Sequence, residues 1–197
     1  MKKITTITLL CLLSLTSNAT DFSSEILAGY STLDINGSSG NINSDSGFTT
    51  GINGIWAFND YLAFDAEFLD YMTYDRQYEE FNSVAYDGML SSYSFSFGVR
   101  ASIPLNEEFV LFGRLGYVRL DIEETGLATL NPDTTLSYRE RKRGEDNYYA
   151  LGLNYHLKDK LSLGFEYYAA DIQVEEQFGT TEQYELSNYF VFLEYDF

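Results

Sequence analysis

Four basic residues stand within five positions of the stretch "RERKRGED" (Arg139 to Asp146): Arg139, Arg141, Lys142 and Arg143. They stand out because the chain has 12 Lys and Arg against 30 Asp and Glu. A planar guanidinium grips phosphate or sulfate oxygens through paired N–H donors, so such a run is suited to anion binding. Arg139, Arg141 and Arg143 share one parity, that of Tyr149 and Leu151. A strand running through them would aim three guanidiniums the same way. The alternative is a solvated loop whose positive charges pair with Glu140, Glu145 and Asp146.

Other chemistry-bearing patterns are weaker. His156 is the only histidine, and Lys158 rather than a serine lies two residues on. One histidine, with Cys11 as the only cysteine, provides neither a histidine-rich metal site nor a cysteine nucleophile. His156 is therefore read as a polar residue of a rim or lumen. "DINGSSGNINSDSG" (Asp34 to Gly47) resembles a calcium loop but has Ser39 where the EF-hand needs its sixth-position glycine. Paired carboxylates are too common on so acidic a chain to mark a hydrolase. The sequence therefore predicts no enzyme, no metal and no cofactor, and the acidic balance argues against nucleic acid as a partner.

The elements that hold these residues read as strands. Period-two alternation recurs at Glu25–Asp34, Phe48–Phe58, Tyr61–Thr73, Ser91–Ile103, Phe109–Ile122, Asn147–Leu157, Leu161–Ile172 and Leu186–Phe197. Each is near the 9 to 11 residues that roughly suffice for a tilted strand to cross a bilayer. The connections at Asn59-Asp60, Pro104 to Glu108 and Lys158 to Lys160 are short, and they alternate with long polar ones. Strict alternation of short and long connections is the mark of an up-and-down barrel, with tight turns on one rim and loops on the other. An even number of strands puts both termini on the tight-turn side.

The start, "MKKITTITLLCLLSLTSNA", has a basic n-region at Lys2 and Lys3, an apolar run from Ile4 to Leu15 and a small-x-small site at Ser17-Asn18-Ala19. That pattern predicts a signal peptide over 1–19 and a single domain over 20–197. Leu10 is too bulky to precede a lipidated Cys11. Removing Lys2 and Lys3 leaves ten basic and thirty acidic residues, a net charge of −20. No later stretch has the run of roughly 18 apolar residues that a membrane helix needs, so entry into a membrane requires a closed barrel.

The alternation also assigns faces. Phe95, Phe97, Val99, Ala101 and Ile103 oppose Ser94, Ser96, Gly98, Arg100 and Ser102. Tyr149 and Tyr155 bracket Leu151 and Leu153, and Trp56 lies near the tight-turn rim. Aromatic residues at the ends of an apolar stripe form the girdles of a membrane barrel, so the apolar face meets lipid. Asp65, Glu67, Arg100, Arg114, Glu166 and Glu194 then point inward with Asn53 and Asn154. The last strand, through Leu193, Tyr195 and Phe197, must pair with the first to leave no edge in lipid.

These features resemble the OmpA/OmpX-type eight-stranded outer-membrane barrels. The stretches "YALGLNYHLKDKLSLGFEYYAAD", "FNDYLAFDAEFLDY" and the terminal "YDF" carry the resemblance, which spans residues 22 to 197. It implies an all-β, eight-stranded antiparallel up-and-down transmembrane barrel in the outer membrane. It implies an inner salt-bridge cluster, with Asp65, Arg100 and Arg114 at matching positions. It further implies that Leu193, Tyr195 and Phe197 form the signal read by the barrel-insertion machinery. The peptidoglycan-binding domain that follows the barrel in some members is not expected here. The expected partners are outer-membrane lipid, lipopolysaccharide and a host or phage surface ligand, with the protein a monomer. The expected role is structural or surface interaction; the alternative is a small porin-like channel through the charged lumen.

Overall fold

The computed structural model describes residues 21–36, 42–80, 84–131, 134–175 and 181–197. Eight strands follow one another: β1 (Asp21–Asn36), β2 (Ile42–Asn59), β3 (Leu62–Glu80), β4 (Val84–Pro104), β5 (Phe109–Asn131), β6 (Thr134–Lys158), β7 (Leu161–Glu175) and β8 (Thr181–Asp196). Each pairs antiparallel with the next, and β8 pairs with β1, which closes the ring. This is the expected fold class, with all eight expected strands present. The segment read as a signal peptide (1–19) lies outside the described residues, as do positions 37–41 of the calcium-like stretch; its flanks are the ends of β1 and β2.

The tight turns have local causes. Asn59 Oδ1 accepts hydrogen bonds from the backbone N–H groups of Tyr61 and Leu62 at 2.9 and 3.0 Å. Asn106 Oδ1 does the same for Glu108 and Phe109 at 2.9 and 2.8 Å. In both turns the asparagine side chain stands in for a backbone acceptor and fixes the reversal. At the closing seam the Phe197 N–H donates to the Phe22 carbonyl at 3.1 Å.

The strands are longer than the sequence reading placed them. β5 has 23 residues and β6 has 25, against the roughly 11 that a tilted strand needs to span a bilayer. The excess lies at the ends away from the tight turns. β5 and β6 stay paired from Phe109↔Tyr155 up to Asn131↔Thr134, so much of the expected long loop is a tall hairpin. Arg139 to Arg143 therefore belong to a strand.

Outside, exposed Ile26, Ile52, Phe97, Val99, Leu151 and Phe165 form an apolar band. So much exposed apolar surface is untenable in water and is what a lipid-facing wall requires. Tyr30, Tyr93, Tyr117, Tyr149 and Tyr189 are exposed and, with half-buried Tyr167 against Tyr149 and Tyr189, cap the band on the side away from the tight turns. They lie at one height once the stagger of tilted strands is allowed for.

Candidate functional site

Below the tyrosine girdle the lumen is filled by a charged layer. Arg114 of β5 lies at its centre, fully buried. Its Nη2 lies 2.7 Å from Asp65 Oδ2, and its Nη1 donates to Glu67 at 2.9 Å and to Glu166 at 2.9 and 3.0 Å. The Tyr148 hydroxyl donates to Asp65 Oδ2 at 3.1 Å. Arg100 of β4 forms a second centre nearer the tight turns. It donates to Glu25 at 2.7 Å, lies 3.5 Å from Glu194, and packs over the Phe112 ring at 3.8 Å. Asn53 and Asn154 donate to Glu25 and Glu194 at 2.8 and 2.5 Å.

All six lumen residues named from sequence parity thus meet in two joined clusters. Glu25 was missed, although Ile26, Ala28 and Tyr30 give its inward parity. It raises the count to five carboxylates around two guanidiniums. Among the described residues, no three His, Cys, Asp or Glu are grouped to hold a metal ion. His156 sits at the periplasmic rim with Nδ1 2.7 Å from Ser162 Oγ, its cross-strand neighbour.

Above the girdle the polarity of the wall reverses. On β5 the inward residues become Val118, Leu120 and Ile122, while Arg119, Asp121 and Glu123 face out. On β7 the inward set is Tyr168, Ala170, Ile172 and Val174, and Asp171 is exposed. Within the bilayer the wall is apolar outside and charged inside; above it the wall is charged outside and apolar inside. The upper part is built like a water-soluble barrel with its own core, standing on the membrane-spanning one.

The outer face of that upper β5–β6 hairpin carries an arginine ladder. Arg119 Nε and Arg143 Nε donate to the two oxygens of Asp121 at 2.9 and 2.7 Å. Arg141 Nε donates to Glu123 at 2.7 Å, and Arg139 Nη2 lies 2.6 Å from its other oxygen. The pairing partners are thus on β5, not Glu140, Glu145 and Asp146 as in the loop alternative. Lys142 has the opposite parity and reaches Glu182 at 3.0 Å, so it stands apart from the three arginines. Arg119, which the sequence reading left aside, joins them. Burial pushes the Asp121 carboxyl up, but hydrogen bonds from Arg119 and Arg143 outweigh it and hold it below the usual range. Hydrogen bonds from Arg139 and Arg141 hold Glu123 below that range too.

The profile of the outer membrane protein beta-barrel domain matches residues 7–197. The chain belongs to that family. Solved structures of the same fold include Ail, the attachment invasion locus protein of Yersinia pestis, in complex with the heparin analogue sucrose octasulfate. This outer-membrane barrel shares 16% identity with it over 90% of its own chain and 99% of Ail, with a TM-score of 0.53. OprG of Pseudomonas aeruginosa shares 13% identity over 91% of this chain and 98% of its own, with a TM-score of 0.52. Neisserial surface protein A shares 15% over 88% and 97%, with a TM-score of 0.49. No curated protein sequence matches. Identities this low speak to the fold alone.

Proposed function

We propose that this outer-membrane barrel is a surface-interaction protein whose arginine ladder binds a sulfated or phosphorylated glycan. The observation that carries the reading is the ratio and posture of the ladder. Four guanidiniums share two carboxylates, and with Glu145 opposite Arg119 the patch keeps a net charge of +1 on an acidic chain. The side chains of Arg119, Arg139, Arg141 and Arg143 are 41, 60, 70 and 56% exposed. Three of them are held through Nε, and an arginine bound that way keeps its two Nη groups for a second, oxyanion partner. Ail, a barrel of similar fold, has been crystallised with a polysulfated sugar, which supports this ligand class.

On the same reading the chain is exported on residues 1–19 and inserted through its terminal strand, with Leu193, Tyr195 and Phe197 as the signal. It then works as a monomer without an enzymatic step, in contact with outer-leaflet lipopolysaccharide. The test is binding of the purified barrel to immobilised heparin and, separately, to lipopolysaccharide, as salt is raised. The variant replaces Arg119, Arg139, Arg141 and Arg143 with Ala. Loss of heparin binding alone assigns the ladder to a soluble or host glycan, and loss of both assigns it to phosphate and sulfate chemistry in general. Unchanged binding to both, in a variant that keeps its heat-modifiable gel mobility, overturns the proposal.

A further inference from the structure

The lumen contains two layers, one carrying ion pairs and one aliphatic. The salt-bridged layer mixes charges with rings, with Phe112, Phe190 and Phe192 buried beside its ion pairs, and it is graded in exposure. The side chains of Arg114, Asp65, Glu67 and Glu166 are 0% exposed, Arg100 is 5% and Glu194 is 12%. Exposure therefore rises toward the periplasmic rim, where His156 and Asp159 are open to solvent. At girdle height Tyr148 and Tyr168 stack with ring centroids 4.9 Å apart and planes 14° apart. Tyr148 lies against the paired glycines Gly98 and Gly116, where a Cβ would meet the tyrosine at 2.5 to 2.6 Å. The missing side chains on β4 and β5 let the ring lie across the lumen.

Above the tyrosines, Leu33, Leu90, Leu120, Ile122, Ile172 and Leu186 come from six positions on five strands, none more than 4% exposed. The layer is roofed by Lys142 and Glu182, whose charges meet at 3.0 Å, with the Tyr184 hydroxyl donating to Glu182 at 2.8 Å. Polar groups that can re-pair with water or a passing ion make a poor barrier. A constriction lined by aliphatic side chains offers an ion nothing in exchange for its hydration shell.

We infer that the barrier to solute passage through this barrel is the extramembrane apolar layer and its tyrosine floor, not the salt-bridged layer. The charged layer thereby lies on the tight-turn side of the barrier and is sealed from the exterior by the layer above it. This inference stands apart from the ladder: it uses inward-facing residues, and it holds whether or not a glycan binds outside.

The test uses the full chain in a Cys11→Ala background, which leaves no other cysteine. Ser96→Cys places a thiol in the charged layer, and Ser137→Cys places one on the exposed face of β6 as a control. Intact cells are treated with a membrane-impermeant maleimide. The Ser137→Cys thiol labels, and the Ser96→Cys thiol labels at least tenfold more slowly. Adding Leu120→Asn with Ile172→Thr, which keep side-chain volume close and wet the apolar layer, brings the two rates together. Adding Glu67→Gln with Glu166→Gln to Ser96→Cys does not. In planar bilayers the parent and the glutamine variant are silent, and the Leu120→Asn, Ile172→Thr variant passes current. Prompt labelling of Ser96→Cys in the parent, or opening by the glutamine pair alone, overturns the inference. Where the wetted variant fails to assemble, the glutamine pair decides: faster labelling of Ser96→Cys overturns the inference, and an unchanged rate supports it.

Discussion

Arg114 on β5 and Glu166 on β7 meet across the lumen although β6 lies between their strands, with Nη1 donating to both carboxylate oxygens at 2.9 and 3.0 Å. The contact is a cross-brace that fixes the barrel's cross-section, which a ladder of neighbouring strands leaves soft. Arg114→Met removes the one cation shared by Asp65, Glu67 and Glu166 and leaves three buried carboxylates uncompensated. Breaking a buried pair from one side typically costs about 3–5 kcal/mol. The urea midpoint of the variant, measured in lipid vesicles, should fall accordingly. Adding Asp65→Asn, Glu67→Gln and Glu166→Gln to Arg114→Met should recover most of the loss. A midpoint unchanged by Arg114→Met alone would show that the lumen does not depend on this cluster.

The reversal of wall polarity at the tyrosine girdle predicts opposite responses to one substitution at two outward positions. Val99 lies between Tyr93 and Ile103 in the lipid-facing band and is 51% exposed. Val99→Arg should cost about 2–4 kcal/mol in a bilayer, as expected for a cation near the midplane. Leu127 also faces outward on β5 and is 49% exposed, but it lies ten residues beyond Tyr117. Leu127→Arg should change stability by less than about 0.5 kcal/mol, as an ordinary water-facing substitution. Equal costs at the two sites would place Leu127 in lipid and remove the extramembrane barrel.

The same reversal explains what the sequence disclosed and what it hid. The alternation of Phe95 to Ile103 and of Tyr149 to Tyr155 showed the lipid face plainly, because one parity stays apolar for several residues. Asp65, Arg100, Arg114 and Glu166 were then inward by counting. Above Tyr117 and Tyr167 the apolar set changes parity, from Leu115 and Tyr117 to Val118, Leu120 and Ile122, and from Phe165 and Tyr167 to Tyr168, Ile172 and Val174. The expected strands reach Ile122 and Ile172, so Arg119 and Asp121 lay on one of them, but the outward parity there was read as still facing lipid. Arg139, Arg141 and Arg143 were placed in the loop that follows or on an extension of β6 alone. The continued pairing of β5 with β6, which brings Asp121 and Glu123 to those arginines, was lost for that reason. Long-range meetings such as Arg100 with Glu25 depend on barrel closure, which no local pattern encodes.

The ladder should loosen in acid. Asp121 and Glu123 both have carboxyl pKa values below the usual range in the folded state. A depressed folded pKa means that the pairing stabilises the hairpin above the unfolded value of about 4 and is lost as pH falls through the folded one. Hydrogen exchange of the β5–β6 hairpin above Tyr117, compared at pH 7 and below pH 4 after correction for intrinsic rates, should show protection falling at low pH. Below the girdle the strands should be unaffected. Asp121→Asn with Glu123→Gln should remove the pH dependence and reproduce the weaker protection already at pH 7. A hairpin equally protected at both values would mean that the ladder contributes nothing to its order.

The closing seam carries a reporter of its own assembly. Phe22 on β1 packs against Trp56 on β2 at 5.2 Å and against Phe197 at the end of β8 at 5.4 Å, and Trp56 meets Phe64 on β3 at 6.0 Å. The rings form a periplasmic belt across four consecutive strands, so Phe22 couples the last residue of the chain to the only tryptophan. Aromatic pairs of this geometry contribute about 0.5–1.5 kcal/mol each beyond their buried area. Phe22→Ala breaks two of them and should lower the urea midpoint by about that much per pair. It should also leave Trp56 wetter, with its fluorescence shifted to the red in the folded barrel. Phe197→Ala removes one contact of Phe22 and none of Trp56 directly. It should slow closure, followed by heat-modifiable mobility during refolding into vesicles, while leaving the final Trp56 emission close to that of the parent. If Phe22→Ala changed neither emission nor midpoint, the belt would be an incidental crowding of lipid-facing rings, and closure would rest on the β1–β8 backbone ladder alone.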